Sequence, residues 1–380
     1  MKTILGDLNF GLCVLLWLSL SACAHGSGPT KATLAIGNQK VELVQYSASL
    51  PGQYFFVGGN ESPEGQKTKS SIYVFDTDGK IRFSRSLPPG HPPAMLSGFR
   101  PLQPNGFGYF RCVPSKTFCD DASFHLIDEN GVEDTSRITP RSYSELNFHD
   151  MTQSKRGTSF FLFTKMHLDD QRVDNVIEEW DSNGRVSFRW NIEDHLDELK
   201  IRRGHNFFHF NSIDLDPDGN IIVSLLQQSR LLRIEVPSGR ILNTVNGADW
   251  KFPNDEYGGF RHQHSAHVLP NGHLFLFDNG DGRNGRRSRA VEYALDEKNR
   301  TAHLVWEYRY PDQENKHRIS GGNVQRLPNG NTVISWGSWD IGAKASKSNL
   351  VLSEISPKGT VVREIRGPYI ALWTFFGLGK

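Results

Sequence analysis

Tight glycine-centred turns recur along almost the whole chain, each flanked by alternating apolar residues. One set has turns 52 to 60 residues apart, centred on Gly79, Gly131, Gly184, Gly239, Asn299 and Gly359. A second set falls between them, at Gly106, Gly157, Gly219, Gly272 and Gly330. Each unit therefore holds two hairpins, or about four strands, and a period of this length is typical of propeller blades. The sequence predicts an all-β, six-bladed β-propeller, since a β-sandwich of the same hairpins would not explain the matched period.

The N-terminal segment carries a targeting signal. Leu12–Leu20 is an apolar run that suits the core of a signal peptide, and it ends in small residues before Cys23. This pattern resembles a lipobox, in which Cys23 is lipidated after cleavage. The alternatives are an ordinary signal peptide or a membrane anchor left in place. Because Ala24 follows the cysteine, we expect a lipid-anchored protein on the periplasmic side of the outer membrane.

The domain organisation follows from these two features. We expect a signal peptide with its lipobox cysteine over residues 1–23, a linker over 24–40, one β-propeller domain over 41–368 and a C-terminal tail over 369–380. The formal net charge is +1 and the charges are dispersed, which argues against a nucleic-acid partner. No sequence feature specifies an oligomeric state.

Two cysteines remain beyond the targeting segment. Cys112 and Cys119 lie close together in the sequence, and in an oxidising compartment the simplest arrangement is a disulfide that closes a short loop. A metal site would need further ligands beside them, and none is evident, so we expect no metal.

Histidines recur at nearly equivalent positions in three of the repeats. His149, His209 and His264 precede the second-set turns at similar offsets, and Asn323 has the corresponding place before Gly330. We expect the strand with this turn to be innermost, because strands such as Asn220–Leu225 lack polar alternation. The three histidines would then face the central channel. The alternative is that they are ordinary surface residues of a chain with 14 histidines.

A glycine-rich segment, Phe277–Arg283, follows the inner strand of the His264 repeat. Its aspartates allow a calcium-loop interpretation, but no later glutamate completes such a loop. Alternatively Arg283, next to the channel histidines, could clamp a tetrahedral oxyanion such as sulfate or phosphate.

Several of these segments together resemble the bacterial arylsulfotransferases. The segments are HFNSIDLDPDGNIIVS, QHSAHVLPNGHLFLFDNGDGR, VWEY and GGNVQRLPNGNTVISWG, and the resemblance runs from about Asn147 to Trp336. Members of this family are periplasmic six-bladed propellers that work without phosphoadenosine phosphosulfate. The resemblance therefore implies a sulfotransferase that needs no cofactor and whose partners are aryl sulfates and phenols.

The resemblance also implies a mechanism. A neutral histidine attacks the sulfur of an aryl sulfate, a sulfohistidine forms, and a second phenol then takes the sulfuryl group. By motif, His209, His264 and Arg283 would be catalytic, while His149 and Asn211 would bind substrate. Asn323 would also bind substrate, because of its corresponding place in the repeat.

One feature departs from the family. The late-propeller histidine of the family has no counterpart in Ser335–Lys344, so the nucleophile would be His264, His209 or a nearby residue such as His317. The alternative function is a non-catalytic, lipid-anchored propeller that binds a ligand or a protein partner.

Overall fold

The structure is a computed structural model of the 380-residue chain. It describes residues 29–36, 39–48, 50–59, 70–86, 95–103, 106–113, 121–128, 132–138, 144–167, 173–201, 208–246, 249–311, 320–337, 350–367 and 370–378. Cys23, Cys119 and His317 lie outside these ranges, and the description of Cys112 covers only its backbone. Lipidation and the disulfide therefore stay predictions.

The described chain is built almost wholly from strands. It begins with β1 (Thr30–Ile36), β2 (Gln39–Gln45), β3 (Gly52–Gly59), β4 (Ser70–Asp76) and β5 (Ile81–Ser86). The sheets are numbered along the chain, and sheets 1 and 6, which involve the two ends, are described below. Sheet 2 contains β6 (Met95–Pro101), β7 (Phe107–Val113), β8 (Asp121–Ile127) and β9 (Glu133–Ile138). Sheet 3 contains β10 (Ser144–Gln153), β11 (Ser159–His167), β12 (Val173–Asp181) and β13 (Val186–Asn191).

Two further sheets have the same four-strand order. Sheet 4 contains β14 (Phe210–Leu215), β15 (Ile221–Leu225), β16 (Arg230–Ile234) and β17 (Ile241–Val245). Sheet 5 contains β18 (His264–Val268), β19 (Leu274–Asp278), β20 (Arg289–Asp296) and β21 (Thr301–Tyr308). The chain ends with β22 (Asn323–Arg326), β23 (Thr332–Ser335), β24 (Leu350–Ile355), β25 (Val361–Arg366) and β26 (Ile370–Leu378).

The two ends of the chain complete each other's sheets. Sheet 1 has the order β26-β3-β4-β5, so the last strand lies beside the first long hairpin. Sheet 6 has the order β1-β2-β25-β24-β23-β22, so the N-terminal hairpin extends its outer edge. The chain is thereby closed on itself, because strands from both ends are paired within shared sheets.

The first strand of each sheet contacts the first strand of the next. These contacts join β6 to β10, β10 to β14, β14 to β18, β18 to β22, β22 to β26 and β26 to β6. The closed ring confirms the predicted all-β propeller, in which the first strand of each sheet is the inner one. The innermost strand is therefore the one before each second-set turn, and our assignment of Asn220–Leu225 as innermost is wrong. That segment forms β15, which is fully buried because neighbouring sheets cover both its faces.

Tight turns between consecutive strands are stabilised by side-chain hydrogen bonds and contain residues with positive φ. In sheet 4, Gly219 has φ 92°. The Asp216 carboxylate accepts hydrogen bonds from the backbone N–H groups of Asp218 and Asn220, at 2.9 and 2.8 Å. At the turn predicted around Asn299, the left-handed residue is instead Arg300, with φ 49°.

The hydrophobic core lies between adjacent sheets. Between sheets 3 and 4, one cluster joins Phe163, Ile177 and Trp190 to Phe210 and Val223. The rings of Phe163 and Phe210 are 5.2 Å apart. Similar clusters fill the spaces between the other neighbouring sheets, so packing between sheets fixes the positions of the inner strands.

Two boundaries differ from the sequence prediction. The predicted linker over 24–40 contains β1 and the start of β2, and the predicted tail over 369–380 contains β26, because both segments pair with distant strands. A short helical segment joins β13 to β14, as a 3₁₀ turn over Ile192–His195 followed by α1 (Leu196–Leu199). It ends where Lys200 takes a left-handed conformation. No helix in the described ranges is long and apolar enough to cross a membrane.

Candidate active site

Irregular pairing at one end of the inner strands positions the candidate site. The register of β10 shifts between Asn147 and Met151, and that of β14 shifts between Phe210 and Ser212. A third shift in β18 lies directly after His264. Such bulges redirect side chains and are frequent beside active sites. In this protein the bulges lie at the three predicted histidines. His149 and His264 are on inner strands, and His209 directly precedes β14.

His149 and His209 form a hydrogen-bonded pair. Their Nε2 atoms are 2.7 Å apart and their rings meet edge to face, with centroids 4.4 Å apart. Asn147 Oδ1 lies 2.5 Å from Nδ1 of His149 and also accepts the backbone N–H of His149. Because that backbone group can only donate, the Asn147 atom is an oxygen, and Nδ1 of His149 carries a proton. In the neutral pair, His209 therefore donates through Nε2 and keeps a lone pair on Nδ1.

His264 is held by Asn279, at the end of β19. The Nδ1 atom of His264 is 2.7 Å from Asn279 Oδ1. The Asn279 amide nitrogen donates to the backbone oxygen of Gly321 at 3.0 Å, which fixes the orientation of the amide. His264 Nδ1 is therefore protonated, and Nε2 of the neutral ring carries the free lone pair.

The close approach of backbone behind this contact needs glycine. Gly322 has φ +100°, and a Cβ atom there would lie 2.4 Å from the Phe277 ring. The Gly321–Gly322 segment can therefore lie against β19 and present its carbonyl to Asn279.

All three histidines favour the neutral form. Burial lowers the pKa of His264 to about 4, an effect that the hydrogen bond to Asn279 opposes and the nearby His209 strengthens. Burial, together with the charge of Lys165, lowers the pKa of His209 to about 4. Burial holds the pKa of His149 well below 6.5, and His209, His264 and Lys165 add to the effect. At neutral pH the cluster therefore presents uncharged imidazoles.

Lys165 is a cation that sequence reasoning missed. It lies on β11 opposite Glu145 of β10, two residues beyond Phe163 on the same face of the strand. That face packs against sheet 4, where Phe163 meets Phe210, the neighbour of His209. The half-buried Lys165 therefore places positive charge near His149 and His209.

The loop before His264 is pinned by buried hydrogen bonds. Gln263 is fully buried and donates to Ser224 Oγ at 2.8 Å. Its backbone oxygen accepts the Asn211 amide at 2.6 Å. His262 and Ser265, which flank the Gln263–His264 pair, have φ 49° and 51°. Non-glycine residues with such left-handed backbone conformations carry strain, and strained residues are frequent at functional sites.

Asn211 and Asn323, both predicted to bind substrate, lie beside this loop. Asn211 is buried, and its Oδ1 atom has no hydrogen-bond partner among the described residues. Asn323 is also buried, and its Oδ1 atom accepts the Ser265 hydroxyl. The structure thus brings both residues next to the His264 loop, and their roles toward substrate stay predictions.

Arg283 is the third residue that the sequence predicts to be catalytic. It is exposed and begins a 3₁₀ turn over Arg283–Gly285, where its backbone N–H donates to Asp281 Oδ1 at 3.0 Å. Within the described part of the chain, no hydrogen bond or ion pair holds its guanidinium. The turn follows Asn279, so Arg283 lies on the same connection that orients His264, but the clamp role stays a prediction.

The hydrogen-bond partners of the histidines were not found from the sequence. Asn147 precedes His149 by two residues, and Asn279 lies inside the Phe277–Arg283 segment that sequence reasoning had singled out for Arg283. An asparagine beside each histidine motif was the available signal. Over the described ranges, no group of three or more His, Cys, Asp and Glu side chains could hold a metal ion.

Two known proteins are similar to this chain. Arylsulfate sulfotransferase AssT of Escherichia coli O6:H1 is 32% identical over 148 residues, covering 30% of this chain and 24% of that protein. The aligned part is thus about a quarter of the relative's length. A solved structure of a protein of unknown function from Bacteroides caccae aligns with a TM-score of 0.57 and 17% identity, over 87% of this chain and 100% of that one. At that identity, the likeness supports the fold.

The family comparison covers most of the propeller. The sequence profile of the arylsulfotransferases (ASST) matches residues 40–367, a range that includes the strands carrying His149, His209 and His264. The resemblance inferred from the motifs is confirmed, and the chain belongs to the arylsulfotransferase (ASST) family.

Proposed function

We propose that this protein transfers a sulfuryl group from an aryl sulfate to a phenol through a sulfohistidine formed on His264. The observation that carries the proposal is the state of the His264 ring. Its Nδ1–H is bound by Asn279, and burial keeps it neutral, with a lone pair on Nε2. A neutral, buried imidazole with one fixed nitrogen is suited to nucleophilic attack.

The first half-reaction needs only this nucleophile and stabilisation of charge. Nε2 of His264 forms a bond to sulfur while the bond between sulfur and the aryl oxygen breaks, and the aryl group leaves as a phenolate. The sulfohistidine is a zwitterion, so the single negative charge of the donor moves to the phenolate. Lys165 supplies positive charge near His149 and His209 of the same cluster, and cationic groups stabilise such charge in phosphoryl transfer.

The second half-reaction needs a base. The acceptor oxygen attacks sulfur, the bond from sulfur to Nε2 breaks, and the phenol proton passes to Nδ1 of His209, the atom with the free lone pair. Asn211 Oδ1 can only accept a hydrogen bond, so it suits the acceptor hydroxyl or protonated His209, not a sulfate oxygen. Because both half-reactions use the same nitrogen, the kinetics should be ping-pong.

The test is turnover of 4-nitrophenyl sulfate with and without an added phenol, followed by mapping of the sulfated residue by mass spectrometry. We expect 4-nitrophenol release that depends on the phenol, and a sulfated peptide that contains His264. Release without an acceptor would indicate a hydrolase. No release would favour the non-catalytic propeller, and sulfate on another residue would contradict the assignment of the nucleophile.

A matched control lies in the same hairpin. His273 is at the turn end, where its Nδ1 atom is 2.7 Å from Glu292. We expect His264→Ala to abolish transfer and the covalent intermediate, whereas His273→Ala should keep both. Equal losses in the two variants would indicate damage to the hairpin instead of loss of a nucleophile.

We further propose that the six sheets are six blades, since their first strands form one closed ring. We also propose that Cys23 is lipidated on the periplasmic side of the outer membrane, as the apolar run before it suggests. Replacing Cys23 with serine should abolish labelling by a fatty-acid analogue and shift the protein out of the membrane fraction. Unchanged labelling would contradict the anchor.

A further inference from the structure

We propose that Asn279 is a positioning residue that holds His264 as the Nδ1–H tautomer and thereby makes Nε2 its nucleophilic atom. The inference rests on the proposed function for its catalytic meaning. Its structural part concerns the location of one proton and can be measured without turnover.

The orientation of the Asn279 amide carries the argument. An amide offers a donor on one side and an acceptor on the other. The Gly321 backbone oxygen, which can only accept, lies 3.0 Å from the amide nitrogen. The amide oxygen must therefore face His264, at 2.7 Å from Nδ1. An oxygen at that distance requires a proton on Nδ1, which excludes the tautomer protonated on Nε2.

The backbone of Asn279 is itself fixed on both sides. Ser288 Oγ donates to the Asn279 backbone oxygen at 2.7 Å. The neighbouring Asp278, fully buried, accepts the backbone N–H groups of Arg261 and Gly280 at 2.9 and 3.0 Å. Asp278 also binds the Nε atom of Arg289 at 2.9 Å. Because these hydrogen bonds hold its backbone, Asn279 cannot easily turn its amide oxygen away from His264.

This support continues into a buried charge cluster. Arg289 is fully buried and contacts Asp255 at 2.8 Å as well as Asp278. The Tyr293 hydroxyl donates to the same Asp255 oxygen at 2.6 Å. Among the described residues, no hydrogen bond joins the Arg289 guanidinium or the carboxylates of Asp255 and Asp278 to His264, so the effect of the cluster on His264 passes through the position of Asn279.

Other ionisable groups surround His264 and bear on any test by pH. His262 lies on the same loop, and His209 directly precedes β14 of the neighbouring sheet; the positive form of either disfavours protonation of His264. His149 is also within electrostatic range. Asn279 is uncharged, so it fixes the tautomer without supplying the negative charge that would favour the imidazolium.

The experiment is ¹⁵N NMR of the full-length protein with labelled histidine, with His264→Gln used to assign the His264 signals. In the wild type we expect His264 to be protonated on Nδ1 and not on Nε2 near pH 7. In Asn279→Leu we expect the form protonated on Nε2 to appear and kcat to fall about 10- to 100-fold, as when other orienting partners of histidine are lost.

A charged variant separates positioning from simple packing. Asn279→Asp keeps an acceptor beside Nδ1–H but adds a negative charge, which favours the imidazolium. We expect the tautomer to be retained and the pKa of His264 to rise by about 1 to 3 pH units. The acid limb of kcat should move to higher pH by a similar amount.

A matched control distinguishes these effects from loss of a buried amide. Asn331 is buried and donates to Glu354 at 2.7 Å, in the turn of sheet 6. Asn331→Leu should lower stability and leave the His264 tautomer and its pKa unchanged.

The possible outcomes separate this inference from the proposed function. A wild-type His264 protonated on Nε2, or an unchanged tautomer in Asn279→Leu, would overturn the inference. A wild-type protein without sulfotransfer, but with an Nδ1–H tautomer that depends on Asn279, would support the positioning and overturn the proposed function.

Discussion

Nε2 of His209 lies 2.7 Å from Nε2 of His149, so the two rings share one hydrogen bond. Because Asn147 fixes the proton of His149 on Nδ1, the proton of this bond belongs to His209. Protonation of the remaining nitrogen of either ring would place a charge inside a partly buried cluster. The pair therefore behaves as one unit whose neutral state leaves a single lone pair, on Nδ1 of His209.

The first prediction concerns this unit. His149→Phe removes the acceptor of the His209 N–H and should free the His209 ring to exchange tautomers. We expect kcat to fall about 10- to 100-fold with a smaller change in KM, because the orientation of a proton acceptor is lost. Steady-state kinetics with 4-nitrophenyl sulfate and a phenol measures both constants.

A control for the ring replacement is His195→Phe. His149 is stacked on Phe148, and His195 is likewise stacked on Trp190, with ring centroids 4.8 Å apart, but His195 lies in the turn before α1. Its replacement should leave kcat near the wild-type value. If His149→Phe is equally active, the pair has no role in proton transfer.

The second prediction concerns the pH dependence of activity. His209 and His264 have pKa values lowered to about 4, mainly by burial. The neutral imidazoles that transfer needs should therefore persist well below pH 6.5. We expect kcat/KM to stay level from pH 7 to about pH 5 and to fall with an apparent pKa near 4. An acid limb near 6.5 would show that the reacting histidine is solvated like a free imidazole.

The third prediction is the matching effect on stability. Between about pH 6.5 and 4 the unfolded chain binds protons on these histidines while the folded protein does not, so the free energy of unfolding falls as pH is lowered. Each histidine contributes a slope of up to about 1.4 kcal/mol per pH unit. Asp150 acts in the opposite direction, since burial raises its pKa to about 6.

The difference between wild type and His264→Gln isolates one histidine from the other titrating groups. Denaturant unfolding at pH 7, 5.5 and 4.5 should show a smaller loss of stability in the variant than in the wild type. Parallel losses would contradict the lowered pKa of His264.

The fourth prediction compares two cations. Lys165 lowers the pKa values of His149 and His209, whereas Arg283 is exposed on its turn. We expect Lys165→Met to reduce kcat/KM by about 100-fold, the lower end of the range for loss of one electrostatic donor. Arg283→Met should have a smaller effect. The opposite order would support the sequence prediction that Arg283 clamps the sulfate.

The sequence was sufficient to predict those features of the fold and the site that short-range residue patterns determine. Turn glycines such as Gly219 identified the repeat, and equal offsets before those turns identified His149 and His264. The sequence did not identify the inner strand. Because β15 is buried on both faces, its residues do not alternate between polar and apolar, and this absence of alternation was expected of an inner strand. The pairing of β26 with β3 joins residues more than 300 positions apart, and no local pattern reports it.

The site was predicted only as far as its histidines. Their states depend on Asn147, Asn279 and Lys165, which reach them through strand bulges and packing between sheets. Asparagine is also frequent in turns, so its presence beside a histidine does not by itself indicate a hydrogen bond. The pairing of strands in the folded protein was needed to tell an asparagine that binds a histidine from one that only forms a turn.

The last prediction concerns the charge cluster behind Asn279. Arg289→Leu would leave the fully buried carboxylates of Asp255 and Asp278 without their cation. Removal of one partner from a buried ion pair typically costs about 3 to 5 kcal/mol, because the remaining charge stays desolvated. Arg300→Leu is the matched control, since Arg300 pairs with Asp249 at the surface, where both side chains are more than half exposed. It should cost about 0 to 1 kcal/mol. The Arg289→Leu defect should also shrink as pH falls, since protonation discharges the orphaned carboxylates. Thermal unfolding at pH 7.5 and 5.5 measures both effects, and equal stability of the two variants would show that the cluster contributes little to the fold.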